Sequence, residues 1–226
     1  MGIAENIINI KKGLAENVRL VAVSKTKPVS NLLEAYGAGQ RVFGENKVQE
    51  LTDKQEQMPA DVEWHFIGHL QTNKVKYIVP FVSLIHSVDS FKLLKTVDKE
   101  GRKNERIVKC LLQFHIAEEE TKFGFDLDEA RGMLSSAEFR ELEFVEICGV
   151  MGMATNTANK QQIRKEFRFL KHIFGQLNGD FFKGKETFRE ISMGMSGDYL
   201  IAVEEGSTLV RVGSLIFGER SYGIKG

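Results

Sequence analysis

Short runs that are apolar nearly throughout recur along the chain. Each ends in small or polar residues, and a charged stretch with helical spacing follows it. The runs fall at 18–26, 41–46, 64–69, 83–90, 107–116, 144–153, 189–195 and 208–218. A strand with apolar residues on both faces is covered on both sides, as in a parallel sheet flanked by helices. The stretches between them read as helices: 31–39 closed by Gly39, a polar segment to 57, a turn or two over TNKVKYIV, and a segment to 100. Then come DLDEARGMLSS capped near Asp126, a long helix over 160–177, and GDYLIAVEEG. Alternation of this kind predicts parallel strands joined by helical crossovers. Eight units favour an α/β fold of the single (β/α)8 TIM-barrel type; a doubly wound open sheet is the structural alternative. Ahead of the first strand, Ile3, Ile7, Ile8 and Ile10 give an extra amphipathic N-terminal helix.

A chain of 226 residues with 3 prolines and no Gly- or Ser-rich linker predicts one domain, 1–226. Lys and Arg together number 31, as do Asp and Glu, so the overall charge gives no reason to expect nucleic acid or an acidic membrane as partner. Cys110 and Cys148 sit in the apolar runs VKCLLQF and VEICGVM and read as reduced core thiols. With no signal peptide and no run near the roughly 18 apolar residues of a membrane span, the expected location is cytoplasmic. The 5 histidines lack metal-ligand spacing, and neither a P-loop nor a dinucleotide GxGxxG is present.

Barrels of this class carry their chemistry at the C-terminal ends of the strands. The first strand ends in Ser24-Lys25-Thr26-Lys27-Pro28. Side chains alternate along a strand, so if Val21 and Val23 point inward, Lys25 does too, one step nearer the mouth. Loss of solvation there favours the neutral, nucleophilic amine; a solvent-exposed loop lysine is the plain alternative. Phosphate sites in such barrels form from the loops after strands seven and eight. Here those loops hold Ser196-Gly197 and Gly213-Ser214, which are otherwise a helix cap and a packing glycine. Arg211 lies two residues before Gly213 and shares its face. Inside a barrel it needs an acceptor, either a ligand nitrogen or anion, or a carboxylate from another strand. Together these groups suit a phosphorylated carbonyl compound. Asn46 and His69 lie at the mouth and are candidates to touch a ring; His86 and His115 read as core or supporting residues. Glu118-Glu119-Glu120 reads as a solvated loop.

The motifs AVSKTKP, FGEN, HFIGHLQTNK, GVMGMAT, SMGMSGD and VRVGSLIFG resemble, in order and over residues 2–222, the pyridoxal 5′-phosphate (PLP) homeostasis protein family. The resemblance implies a fold-type III barrel like the N-terminal domain of alanine racemase, with PLP held as an internal aldimine on Lys25. It implies that Ser196, Gly213 and Ser214 bind the phosphate, that Arg211 faces the pyridine nitrogen, and that Asn46 lies near the ring. Ser192 and Met193 are close by in their motif. Gly197 departs from the family pattern, which often has a larger residue there. The family's role is PLP homeostasis and amino-acid balance without established turnover, so the expectation is a binding protein, not an enzyme. PLP-dependent apo-enzymes are the expected partners, and a monomer the expected state. An arginine opposite the ring nitrogen weakens the ring as an electron sink, and a chain ending at Gly226 leaves no room for the second domain that supplies alanine racemase with its other acid/base group. The alternatives are a minimal PLP-dependent racemase or lyase acting on a small amino acid, and a barrel that holds some other phosphorylated metabolite without a covalent bond.

Overall fold

Eight parallel strands close on themselves: β1 (Arg19–Val23), β2 (Val42–Glu45), β3 (Glu63–Phe66), β4 (Leu84–Val88), β5 (Val108–Phe114), β6 (Val145–Gly152), β7 (Glu190–Ser192) and β8 (Leu209–Val212). Neighbours in sequence are neighbours in the sheet, and β8 pairs back onto β1 with Val21 opposite Arg211. The computed structural model describes residues 2–118 and 123–219. Outside the barrel lie α1 (Ile3–Lys12), α2 (Val29–Gly37), α3 (Val48–Gln55), α4 (Val75–Ile78) after a 3₁₀ turn, α5 (Phe91–Lys103), α6 (Leu127–Ser135), α7 (Ala137–Arg140), α8 (Lys160–Phe181), α9 (Tyr199–Glu204) and α10 (Ser214–Phe217). The extra helix α1 buries Ile7 and Ile10 and leaves Ile8 exposed. Asp126 caps α6 in a capping box with Glu129, the expected start signal.

Alternation along the strands sorts the apolar residues into two cores. Leu20, Ala22, Phe43, Ile85, Cys110, Leu112 and Val210 point outward against the helices, whereas Val21, Val42, Leu84, Leu111, Cys148, Met151 and Leu209 fill the barrel itself. Cys110 and Cys148 fall in different cores and are both free thiols. Burial pushes the Cys148 thiol up to about 12, so it stays protonated and inert.

The β6 run breaks the simple period of two: Cys148 and Met151, three residues apart, both face inward. The cause is a register shift opposite Cys110 and Leu111, where Ile147 and Gly149 follow each other as partners and Cys148 is the extra residue. Gly149 takes φ +151°, and a Cβ there would lie 1.8 Å from the Glu190 carbonyl oxygen, so no side chain fits.

The run at 208–218 is not one strand. β8 stops at Val212, and residues 214–217 turn into the short helix α10. Both halves are apolar, and a short apolar run does not separate strand from helix by periodicity. The run at 189–195 also shortens, to Glu190–Ser192, because Asp198 Oδ1 accepts from the Met195 N–H at 2.5 Å and bends the chain into a loop. Of the acidic run 118–120, Glu118 is exposed and Glu119 and Glu120 lie outside the described residues.

Candidate functional site

Lys25 lies two residues past β1, on a turn that α3 holds from both sides. Ser24 is fully buried and its hydroxyl donates to Glu45 Oε1 at 2.6 Å. The Lys54 ammonium donates to the Ser24 carbonyl (2.8 Å), to Glu45 Oε1 (2.7 Å) and to Glu50 Oε1 (2.6 Å). Glu50 Oε1 also accepts from the Thr26 N–H at 2.5 Å. Thr26 itself has φ +65°, a conformation that β-branched residues avoid. The residues flanking Lys25 are thus fixed by a buried ion cluster in place of a relaxed turn. Burial raises the Glu45 carboxyl, and the Lys54 charge beside it opposes the rise.

Lys25 opens onto a cavity of about 310 Å³ at the C-terminal end of the barrel. Its polar lining is Lys25, Lys27, Asn46, Ser196, Arg211 and Ser214, with Gly197 and Gly213 as bare backbone; Val23, Ile67, Met153 and Met195 form the apolar walls. No carboxylate lines it among the described residues. The loops after β7 and β8 meet here, since the Gly213 N–H donates to Ser196 Oγ at 3.2 Å. Gly213 sits so close to β1 that a Cβ would lie 3.0 Å from the Val23 carbonyl oxygen. At Gly197, where the chain departs from the family pattern, a Cβ would meet nothing within 4 Å, so the glycine is not required by close packing. The Lys27 ammonium donates to the carbonyls of Phe217 and Glu219, each at 2.9 Å.

Arg211 forms the floor, with only 4% of it exposed. Its acceptors are the Ser192 hydroxyl at 2.5 Å and the Gly152 carbonyl at 3.1 Å, a hydroxyl and a peptide in place of a strand carboxylate. Burial lowers its pKa to about 10, while Asp198 in the β7 loop acts in the other direction; it remains a cation at neutral pH. At the rim, the Asn46 Oδ1 is buried and has no hydrogen-bond partner within the protein. An orphaned acceptor of this kind is costly unless a ligand supplies a donor.

Six of the eight residues singled out in the sequence, Lys25, Asn46, Ser196, Arg211, Gly213 and Ser214, therefore line one cavity. Ser192 and Met193 do not. Ser192 points inward below the cavity and holds Arg211, while Met193, the next residue along, turns outward into the core under the helices. His69 pairs with Asp89 at 3.1 Å and packs on Phe123, beside a neighbouring groove. His86 is fully buried beneath the site. Ile67, Met153 and Met195 are additions, and Lys27, named in the sequence only as part of the first strand's end, joins them; the two methionines stand in the motifs but carry no polar signal.

Fold and cavity define a class, the barrel of the "Alanine racemase, N-terminal domain", whose family model matches residues 2–221. The alanine racemase of Clostridium difficile has the same fold, with a TM-score of 0.78 at 13% identity, over 98% of this chain and 60% of that one. Within that class the chain belongs to the pyridoxal phosphate homeostasis protein family. It is 38% identical over 214 residues to the family member of Aquifex aeolicus, covering 94% of this chain and 92% of the relative. It is also similar to PipY of Synechococcus elongatus, whose structure was solved with PLP bound: TM-score 0.87 at 36% identity, over 96% of this chain and all of PipY.

Proposed function

We propose that this protein binds PLP in the cavity at the C-terminal end of the barrel, through a Schiff base to Lys25, and that it serves to hold and hand on the cofactor without turning over a substrate. The observation that carries this reading is the convergence on one cavity of Lys25, Arg211 and the paired loops Ser196-Gly197 and Gly213-Ser214. The donor set fits the group: the Lys27 and Arg211 cations beside the Lys25 amine, with no carboxylate among the described lining residues, suit a phosphate ester. The close approach of Gly213 to β1 keeps its backbone bare at the loop where the phosphate would rest. Bound there, PLP supplies an aldehyde that condenses with amines and a ring that withdraws electrons.

The residues of this chain then divide the work. Lys25 offers the amine, on a turn fixed by Lys54 and Glu50. Ser196, Gly213 and Ser214 hold the phosphate. Arg211, which keeps its proton at neutral pH, would face the ring nitrogen as a donor, and would leave that nitrogen unprotonated and the ring a weaker electron sink. Asn46, whose buried oxygen lacks a partner in the protein, would lie near the ring. Among the described residues, the titratable side chains lining the cavity besides Lys25 are Lys27 and Arg211, and both are already engaged by protein acceptors. Neither is poised as a second acid/base group, and the family is named for homeostasis and not for a reaction. PLP-dependent apo-enzymes are the natural recipients.

The test is PLP titration of wild type and Lys25→Ala, followed by visible absorbance, with racemase and transaminase assays alongside. A Schiff-base band in wild type only, without turnover, is expected. A substantial turnover rate lost in Lys25→Ala would overturn the non-catalytic part of the reading, and equal binding without a band in both proteins would overturn the covalent part.

A further inference from the structure

A line of hydrogen bonds crosses the barrel interior beneath the cavity. Arg211 Nη1 donates to Ser192 Oγ at 2.5 Å, Ser192 Oγ lies 2.8 Å from His86 Nδ1, and His86 Nε2 lies 2.9 Å from His65 Nδ1. The four side chains come from β8, β7, β4 and β3, and each is buried. At its far end His65 lines a separate cavity at the N-terminal end of the strands, among Arg19, Arg189 and Glu190.

Proton counting gives the line a direction. A guanidinium only donates, and a serine hydroxyl has one proton. If His86 carried its proton on Nδ1, Ser192 would accept twice, and its own proton would need a further buried acceptor. With the Ser192 proton given to His86 Nδ1, every group is used once: the neutral His86 ring carries its proton on Nε2 and donates it to His65 Nδ1. Both rings are held neutral. Burial lowers His65 to about 3, and burial with the neighbouring His65 and Arg211 holds His86 well below the ordinary histidine range. A serine oxygen that donates onward is a stronger acceptor for the guanidinium.

We propose that His86, and His65 behind it, are positioning residues for Arg211, acting through Ser192 to fix the guanidinium at the cavity floor and so set the electronic state of the cofactor ring. The proposal rests on the PLP reading above. A purely space-filling role for His86 would be served equally by any side chain of similar size. The positioning role requires an acceptor where Nδ1 stands, which asparagine restores and leucine does not.

The test compares wild type, His86→Leu, His86→Asn, His65→Leu and Ser192→Ala, each checked for folding by circular dichroism. The readouts are the visible band of bound PLP, the PLP Kd, and ¹⁵N NMR of the imidazoles in wild type without added cofactor. His86→Leu is expected to shift the band and weaken PLP binding roughly tenfold, the scale of one lost bond to a charged group. His86→Asn should stay close to wild type, and His65→Leu should fall between them. Both rings should be protonated on Nε2. A folded His86→Leu with the wild-type band and Kd, an Asn variant no better than Leu, or a proton on His86 Nδ1 would overturn the proposal. If His86→Leu does not fold, Ser192→Ala must reproduce the band shift, and a wild-type band there overturns it. Absence of any band in wild type overturns the PLP reading instead, while the NMR tautomers still decide the direction of the line.

Discussion

The two ends of the barrel hold cavities of nearly equal size, about 310 Å³ at the C-terminal end and about 290 Å³ at the N-terminal end, but they treat charge in opposite ways. At the N-terminal end Arg19 reaches Glu63 at 3.3 Å and Glu190 at 3.7 Å, and Arg189 reaches Glu190 at 3.7 Å. Cations and carboxylates there neutralise one another. At the C-terminal end Lys25, Lys27 and Arg211 converge with no carboxylate among the described lining residues, and a buried acceptor, Asn46 Oδ1, has no partner in the protein. Size does not mark the ligand end; a lining with basic groups and no carboxylate among the described residues, together with an orphaned polar atom, does. The buried line from Arg211 to His65 joins the two ends.

Acid should expose that line first. His65 is neutral in the fold, with its pKa lowered from 6.5 to about 3. The unfolded chain takes up that proton below its ordinary pKa, so the unfolded state binds more protons and stability falls as pH drops from about 6.5 toward 3. The expected slope is up to about 1.4 kcal/mol per pH unit from this residue. Thermal melts of wild type and His65→Leu from pH 7 to 4 check it: the wild-type curve should fall more steeply, and parallel curves would refute it.

A substitution at the ligand end should cost affinity and little else. Gly213→Val adds a Cβ 3.0 Å from the Val23 carbonyl oxygen and pushes the loop out of place. PLP affinity should drop roughly tenfold or more, the equivalent of about 1.5 kcal/mol. Fluorescence titration reads this, and an unchanged Kd would remove Gly213 from the phosphate cradle.

The smallest effect belongs to the opposite end. Arg19→Ala removes two ion pairs on a side chain that is 44% exposed, so stability should change by no more than about 1 kcal/mol. PLP affinity should not change. A change in Kd here would mean that the two ends are coupled more tightly than the charge comparison implies.

Much of this was legible in the sequence because the barrel obeys two simple periods. Apolar runs alternating with helices gave the eight strands, and the shared face of Val21, Val23 and Lys25 placed the lysine at the mouth. What escaped has physical causes. The bulge at Gly149 changes which β6 residues face inward, and a period of two cannot see an inserted residue. Strand β8 and helix α10 share one apolar run, so their boundary was hidden. The motif puts Met193 beside Ser192, yet alternation turns it away once Ser192 points inward. The Lys54 cluster and the His86–Ser192 contact join residues far apart in the chain, the latter by 106 positions, and no local pattern encodes such pairs.

The most direct measurement is borohydride reduction of PLP-loaded wild-type protein followed by peptide mapping. One reduced pyridoxyl adduct is expected, on Lys25, with the visible band lost on reduction. An adduct on Lys27 or on a surface lysine with Lys25 unmodified, or no adduct at all, would contradict it.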